Sequence, residues 1–537
     1  MKKLLLTLLR FISYPSWVSF AKAIRNPESS QRQTLTTILH KGKDTTRAKS
    51  LNITGLESYQ EFREKVPLST WEDLDPLVKN QWHKDRNQIC PSPVVCYENT
   101  SGSSGSKKAI PYNKPLLGSF RTMFNIWVYD MLTKGPALGH GRIWYSLSPK
   151  FGREQQTPEK LKEGFSDDRE YLGGFTGWLT TRFLAVPSQV ASVKDPDDYF
   201  LALACCLVAA EDLEVISVWN PSFLEHVIVT IIRRHPEIAG HLAHGQLNVG
   251  GINIRLKHKG ALERLSQGIE IYRKKPEGSD IWRLLWPKLQ LISCWNSAHA
   301  GMSADRIRKL FPHVFLQGKG LLSTEAPITV PILSHHGGTV PLVQEVFLEF
   351  KHQVTGEVFP IWQLRENHTY ELIITQKGGL WRYQTGDLVK VGEAYINTPS
   401  LKFLHRAGKV SDLVGEKLHQ DRIQEALATV GYHGPWIAVG VPATSARPAA
   451  YSIMVSLPQL PDIDAGALDK TLQQNHHYSL ARRLRQLNAC NVIGLSELDA
   501  RYRSFCIEQK KMSLGDIKPP GLVTDLNEGQ QLLGWFG

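Results

Sequence analysis

The sequence predicts an α/β protein in two parts: a large N-terminal domain of helix-covered sheets over residues 1–405 and a smaller α+β domain over 406–537. Three observations predict it. At 537 residues the chain exceeds one ordinary core, since single domains seldom run past about 300 residues. Strand and helix signals alternate through residues 200–350, the pattern of sheets covered by helices. Near residue 406 the texture changes to a helix, two strands and two further helices, a compact α+β stretch. Composition agrees with a folded chain: 42% of residues are hydrophobic, with 14 Trp, 16 Tyr and 19 Phe to fill a core.

The elements follow in order. The start, MKKLLLTLLRFISYPSWVSF, imitates an export signal, but its apolar run covers only Leu4 to Leu9, with Thr7 inside it and Arg10 ending it. It reads as an amphipathic helix that packs on the domain or touches a membrane surface. Residues 30–90 read as helical: QRQTLTTILHKGK has apolar residues at helical spacing, and Ser69 or Thr70 is the expected N-cap of WEDLDPLVKNQW. In EVISVWNPSFLEHVIVTIIRRH a β-branched strand (Val215 to Trp219) precedes Asn220 as N-cap and Pro221 at the first helical position. LQLISCWNSAHAGMSADRIRKL repeats that unit, with Leu289 to Trp295 as strand. TVPLVQEVFLEF, TYELIITQ and LWRYQTGDLVKV read as strands joined by turns, the last hinged on Thr385-Gly386-Asp387.

The formal net charge of +12 favours anionic small molecules or surfaces without choosing among them. The basic clusters RIRKL, IIRRH and LARRLRQL carry no interleaved aromatics, so they read as solvated helix faces and no nucleic-acid partner is expected. Seven scattered cysteines without a CxxC pair exclude a disulfide framework and a zinc site, and point to a reducing, cytoplasmic setting. No apolar segment approaches the roughly 20 residues that span a bilayer.

One segment stands apart, ENTSGSSGSKKAIPYN, residues 98–113. From Thr100 to Lys107 it holds only glycine, hydroxyl-bearing residues and one lysine, and Lys108 follows. Such a loop can turn its backbone N–H groups inward as a nest for phosphate oxygens, although a flexible surface linker has the same composition. It is not a Walker A loop, because Gly102 and Gly105 are three apart rather than five. Its register, Thr100-Ser101-Gly102-Ser103-Ser104-Gly105 completed by Lys108, resembles the phosphate-binding signature of the acyl-adenylate-forming superfamily.

Further matches come downstream in the expected order. GKGLLSTEAPITVP resembles that superfamily's nucleotide motif, which implies that Ser323, Thr324 and Glu325 lie beside the adenylate and its Mg²⁺, with Glu325 and Thr324 as metal ligands. LWRYQTGDLVKV resembles the element whose aspartate, here Asp387, grips the ribose, and FLHRAGKVSDLVGEKL resembles the hinge, with Arg406 at the boundary. LGDIKPPGL resembles the element of the mobile domain that carries a catalytic lysine, here Lys518. QRQTLTTILHKGKDTT…FREKVPLSTWEDLDP and VGEKLHQDRIQEAL are similar to the auxin-responsive promoter family of acyl-acid amido synthetases, particularly bacterial members, over about residues 30–525.

That resemblance implies an enzyme using ATP and Mg²⁺ to adenylate a carboxylic acid and pass the acyl group to an amine, that of an amino acid. Backbone donors of the loop and Lys108 would hold phosphates, and Lys518 would stabilise charge at the reacting oxygens, with closure about Arg406 assembling the site. Transfer to a thiol of coenzyme A or a carrier protein, and a non-catalytic binding relative, stay open as alternatives. The departures feed the second: an aromatic is replaced by Leu321, an arginine by Gln384 and another by Pro520. SHHGG (His335, His336) lacks the acid of a condensation motif and NHHY (His476, His477) lacks a metal partner, so both read as structural or surface residues. YLGGFTGWL, Tyr171 to Leu179, reads equally as an acyl-pocket loop or a plain turn.

Overall fold

The computed structural model describes residues 2–83, 87–99, 108–136, 138–139, 141–145, 162–163, 183–256, 260–276, 278–296, 299–353, 355–406, 409–414, 416, 418–444, 447–457, 463–483, 486–512, 517 and 521–537. The chain divides into a larger unit ending at His405 and a smaller one that includes Arg406–Gly537.

The larger unit opens with five helices: α1 (Lys2–Ala23), α2 (Pro27–Gly42), α3 (Thr46–Ser50), α4 (Tyr59–Lys65) and α5 (Trp71–His83). At α5 the N-terminal bond runs opposite to expectation. Asp73, an acceptor-only carboxylate, takes the N–H of Thr70 at 2.8 Å and its hydroxyl at 3.0 Å, while the Ser69 hydroxyl donates to the Trp381 carbonyl at 2.9 Å. Strands β1 (Val94–Asn99) and β2 (Ala109–Asn113) then pair antiparallel, and β4 (Lys162–Glu163) joins β1. Helix α6 (Lys114–Lys134) starts directly from β2, capped by the Asn113 side chain on the Leu116 N–H at 2.9 Å, with Pro115 in its first turn.

A four-stranded parallel sheet follows in the order β3 (Arg142–Tyr145), β5 (Leu213–Ser217), β8 (Leu291–Cys294), β9 (Phe315–Gly318). Its crossovers are helical: α7 (Pro196–Val208) before β5, then α8 (Pro221–Arg233), α9 (His235–His244), α10 (Ala261–Lys274) and α11 (Asp280–Leu285) before β8, and α12 (His299–Leu310) before β9; a hairpin of β6 (Gln246–Val249) and β7 (Ile252–Arg255) interrupts the second crossover. Both strand-to-helix units are present, the first strand displaced by two residues towards the N-terminus and the second shortened to Leu291–Cys294, and Pro221 opens α8. Parallel strands need both faces covered. Val215 and Leu291 pack with Met131 and Trp127 of α6 on one face, and Trp144 meets Phe223 of α8 on the other.

The second sheet is antiparallel, order β13 (Val358–Pro360), β12 (Phe347–His352), β14 (Thr369–Thr375), β15 (Tyr383–Tyr395), β16 (Thr398–Arg406). The expected strand TVPLVQEVFLEF is split between β11 (Val340–Pro341), which pairs with β10 (Thr329–Val330), and β12. Its middle leaves the ladder because Gln31 of α2 donates to the carbonyls of Val343 and Val346, each at 2.7 Å, and takes the Leu348 N–H at 2.8 Å. Thr385-Gly386-Asp387 is not a turn either. Glu371 faces Leu388 and Ile373 faces Gln384, so three residues of β15 oppose one of β14 as a bulge inside a continuous strand. Gly386 takes φ 75°, which side-chain-bearing residues resist, and the Thr385 hydroxyl donates to the Leu372 carbonyl at 3.0 Å to close the gap.

The smaller unit holds a hairpin of β17 (Val410–Ser411) and β18 (Leu418–His419), helix α13 (Gln420–Thr429), and a sheet in the order β21 (Asn491–Ser496), β20 (Ala450–Leu457), β19 (Trp436–Val441), β22 (Gly521–Val523). Among the described residues four further helices, not two, accompany it: α14 (Ala465–Leu472), α15 (His476–Arg483), α16 (Leu498–Glu508) and α17 (Leu526–Phe536). The sheet has separate apolar clusters about Tyr451 and about Met454, so helices are needed on both faces. All seven cysteines are buried. Among the described residues no helix is long and apolar enough to cross a membrane.

Candidate active site

The glycine-serine segment Thr100, Ser101, Gly102, Ser103, Ser104, Gly105 lies outside the described residues, as do Lys518, Pro520 and the stretch Tyr171–Leu179. Lys108 is described, and it stands at the start of β2. Its ammonium donates to the Tyr383 hydroxyl at 3.0 Å and lies 5.7 Å from that ring's centroid. Its charge also reaches Glu72 at the start of α5. That carboxyl is held below the usual range by its own backbone N–H, by the Thr70 hydroxyl and, more weakly, by Lys108.

Four residues along β2, the Tyr112 hydroxyl donates to the Thr324 carbonyl at 2.6 Å, its ring stacked 5.4 Å from Phe120. This bond fixes the loop after β9. There the Ser323 N–H donates to the Ala326 carbonyl and the Ala326 N–H to the Ser323 hydroxyl, both at 3.2 Å, which folds Thr324 and Glu325 into a tight turn. Leu321 donates its N–H to the Thr329 hydroxyl at 2.7 Å and packs its side chain on the main core.

Glu325 is 3% exposed, and its Oε1 has no hydrogen-bond partner. An orphaned buried carboxylate oxygen is costly, and a cation relieves it. No cluster of three or more potential metal-ligating side chains occurs among the described residues. A single carboxylate sharing a cation with substrate phosphates is how Mg²⁺ is commonly held, so Glu325 fits that ion.

Asp387 is 8% exposed, follows the left-handed Gly386, and donates its N–H to the Thr385 hydroxyl at 3.1 Å. The bulge therefore aims Asp387 independently of the strand's alternation. The start of β15 is anchored by buried Arg382, which bonds Glu349 at 2.9 Å and the Val66 carbonyl at 2.8 Å, and by Ser69, which exchanges backbone bonds with Arg382 and Gln384. Gln384 sits in that ladder, opposite Ile373. Arg406 is the last residue of β16.

Thus β2 links two of the sequence-predicted segments: its start bonds Tyr383, at the head of the strand that carries Asp387, and its far half bonds Thr324, beside Glu325. Tyr112 and Tyr383, the residues that make those links, were missed by sequence reasoning. Their only signal was a tyrosine within each motif. His335, set aside earlier, packs its ring 5.2 Å from Tyr395, and burial, with His336 adding, lowers its pKa against the pull of Glu393.

Comparison with known proteins adds the following. Residues 18–316 match the GH3 family N-terminal domain, and residues 339–406 match the GH3 family central domain. Indole-3-acetic acid-amido synthetase GH3.4 of Arabidopsis thaliana is 20% identical over 428 residues, which cover 75% of this chain and 71% of that protein. The 4-substituted benzoates-glutamate ligase GH3.12 of the same plant is 19% identical over 389 residues, 68% of this chain and 67% of that one. The solved structure of AtGH3.15 acyl acid amido synthetase in complex with 2,4-DB superposes with a TM-score of 0.80 at 19% identity, covering 98% of this chain and 96% of the other, a likeness of fold.

Proposed function

The chain belongs to the GH3 family, and from that premise we propose that it is an ATP-dependent acyl-acid amido synthetase. It adenylates a carboxylic acid, releases pyrophosphate and passes the acyl group to an amine, that of an amino acid. The observation that carries this reading is the pair of bonds from β2, Lys108 to Tyr383 and Tyr112 to Thr324, which tie motif segments more than 200 residues apart in sequence to a single strand.

The chemistry follows from the groups. A carboxylate is a poor electrophile because oxide is a hopeless leaving group; attack on the α-phosphate of ATP turns it into a mixed anhydride that expels AMP. Lys108, with the backbone donors of residues 100–105, holds the phosphate tail as a point charge. Glu325 and Thr324 would hold Mg²⁺, which neutralises crowded phosphate oxygens when bound. Asp387, turned by the bulge, accepts from the ribose hydroxyls. Lys518 carries the charge that meets the reacting oxygens, and Arg406 marks the passage between a large ATP- and acid-binding domain and a small mobile one.

Hydroxylamine trapping tests the first half-reaction. Purified protein with ATP, Mg²⁺ and a panel of acids is expected to form hydroxamate, and a folded protein silent across the panel would overturn the proposal in favour of a binding role. Mass analysis of products formed with amino acids or with coenzyme A tests the second half. An amide is expected; a thioester would move the chain to the thiol-transferring ligases.

A further inference from the structure

The parallel sheet aligns Tyr145, Ser217, Ser293 and Gln317 in register on adjacent strands, so their side chains form one row on one face. Two residues back on that face, Ile143, Val215 and Leu291 are covered by Trp127 and Met131 of α6. The row begins where this apolar cover stops.

Polar groups so placed need partners, and two have none. Ser293 is fully buried and Gln317 is 5% exposed, yet Ser293 Oγ and Gln317 Nε2 make no hydrogen bond. Gln317 is held in orientation, because its Oε1 accepts the Trp127 indole N–H at 2.8 Å, which leaves the NH₂ end to face a ligand. Lys319 joins the row from the end of β9, reaching past β8 to donate to the Ser217 hydroxyl at 2.9 Å. The rings of Trp219, Trp127 and Tyr145 lie 4.6, 5.8 and 5.9 Å from its ammonium. Ammonium, carboxamide NH₂ and hydroxyl all offer protons, and flat apolar walls stand beside them. Such a set matches a ligand with an apolar body and an acceptor oxygen. Apart from Lys319, which lies in the nucleotide-motif segment itself, these groups stand outside the segments matched to ATP motifs, and the six-residue step from Lys319 to Glu325 connects the row to the proposed adenylating turn.

We propose that Lys319, Ser293 and Gln317 are specificity determinants for the acid: the substrate has an apolar, flat body lying along Trp127 and Trp219 and bears, besides the reacting carboxylate, a second oxygen function, a hydroxyl or a second carboxylate. This rests on the adenylating reading above.

Pyrophosphate release from 3-phenylpropanoate and its para-hydroxy and para-carboxy forms tests it. At least one oxygenated acid is expected to exceed the parent by tenfold or more in kcat/KM, and the better of the two identifies which oxygen the row takes. Lys319→Met and Ser293→Ala are each expected to pull that ratio to within threefold of unity. No preference in the unaltered protein, or a ratio that survives both substitutions, overturns the proposal; the latter outcome includes Lys319→Met slowing every acid alike, as it would if the lysine held the reacting carboxylate. If the folded protein releases pyrophosphate with none of these acids and stays silent across the wider acid panel, the adenylating reading fails by itself. Quenching of tryptophan fluorescence by the same acids then decides the row separately: tighter binding of an oxygenated acid, lost in Lys319→Met, supports it, and equal binding of all three in the unaltered protein refutes it.

Discussion

Glu349 and Glu325 are buried carboxylates of the same larger unit, and they have opposite surroundings. Glu349 is 1% exposed and receives Arg382 Nε at 2.9 Å and the Tyr59 hydroxyl at 3.2 Å. Burial pushes its carboxyl up, and the guanidinium and the phenol pull it back. Glu325 is equally hidden, yet one oxygen meets no donor. Burial of an acid thus says little about function. An acid whose partners are all supplied by the chain is architecture; one with an oxygen left short, at a loop beside other predicted site residues, is the one to test for a ligand.

The contrast breaks most visibly at Glu349's partner. Arg382→Met leaves a buried acid unpaired and is expected to cost about 3–5 kcal/mol in urea unfolding, with motif residues intact. Loss below 1 kcal/mol would show the pair to be dispensable.

Glu57 extends the architectural class. It takes the N–H groups of Thr54 at 2.6 Å and Gly55 at 2.9 Å and pairs with Lys65 at 3.0 Å. Burial acts upward on it, but these bonds outweigh burial and bring its pKa from 4.5 to about 2. Because the folded value is the lower, the stabilisation is complete above pH 4.5 and disappears as pH falls towards 2. Glu57→Gln is expected to remove this acid-labile share, seen as a smaller drop in unfolding midpoint between pH 7 and pH 3 than in the parent.

Glu325→Gln tests the functional class. Hydroxamate formation is expected to fall about 100-fold, or ~2.7 kcal/mol, while the thermal midpoint stays within a few degrees or rises. A large stability loss with unchanged turnover would move Glu325 to the architectural side. Lys108→Ala sharpens the same division by removing a point charge from phosphates: kcat/KM for ATP is expected to drop about tenfold or more with little change in unfolding. The smallest expected effect is at Gly386, whose φ of 75° an alanine resists. Gly386→Ala is expected to cost about 1 kcal/mol and to weaken ATP handling through Asp387.

Much of this was legible beforehand. The strand-to-helix units at Val215 and Leu291 announced themselves through β-branched runs followed by capping residues, because both signals are local. Lys108, Glu325 and Asp387 could be named as candidates for a related reason: each sits in a short segment that resembles a motif of the adenylate-forming enzymes. The bulge at Asp387 was not legible. A Thr-Gly-Asp run suits a turn as well as a bulge, and only the pairing of β14 with β15 selects between them. The indole of Trp127 and the ammonium of Lys319 could not be assigned either, since tryptophans serve both core and surface and a lone lysine carries no periodicity.

The amino-acid sequence by itself determined the elements and the chemical inventory: which stretches twist into helices, which pair as strands, which acids and lysines are available. Those depend on interactions within a turn or two of chain. Tertiary structure alone decided which groups meet, that Tyr112 would hold Thr324, that Glu349 would be answered and one oxygen of Glu325 left without a donor. Such pairings join residues hundreds of positions apart, and their energies exist only after the sheets have closed over them.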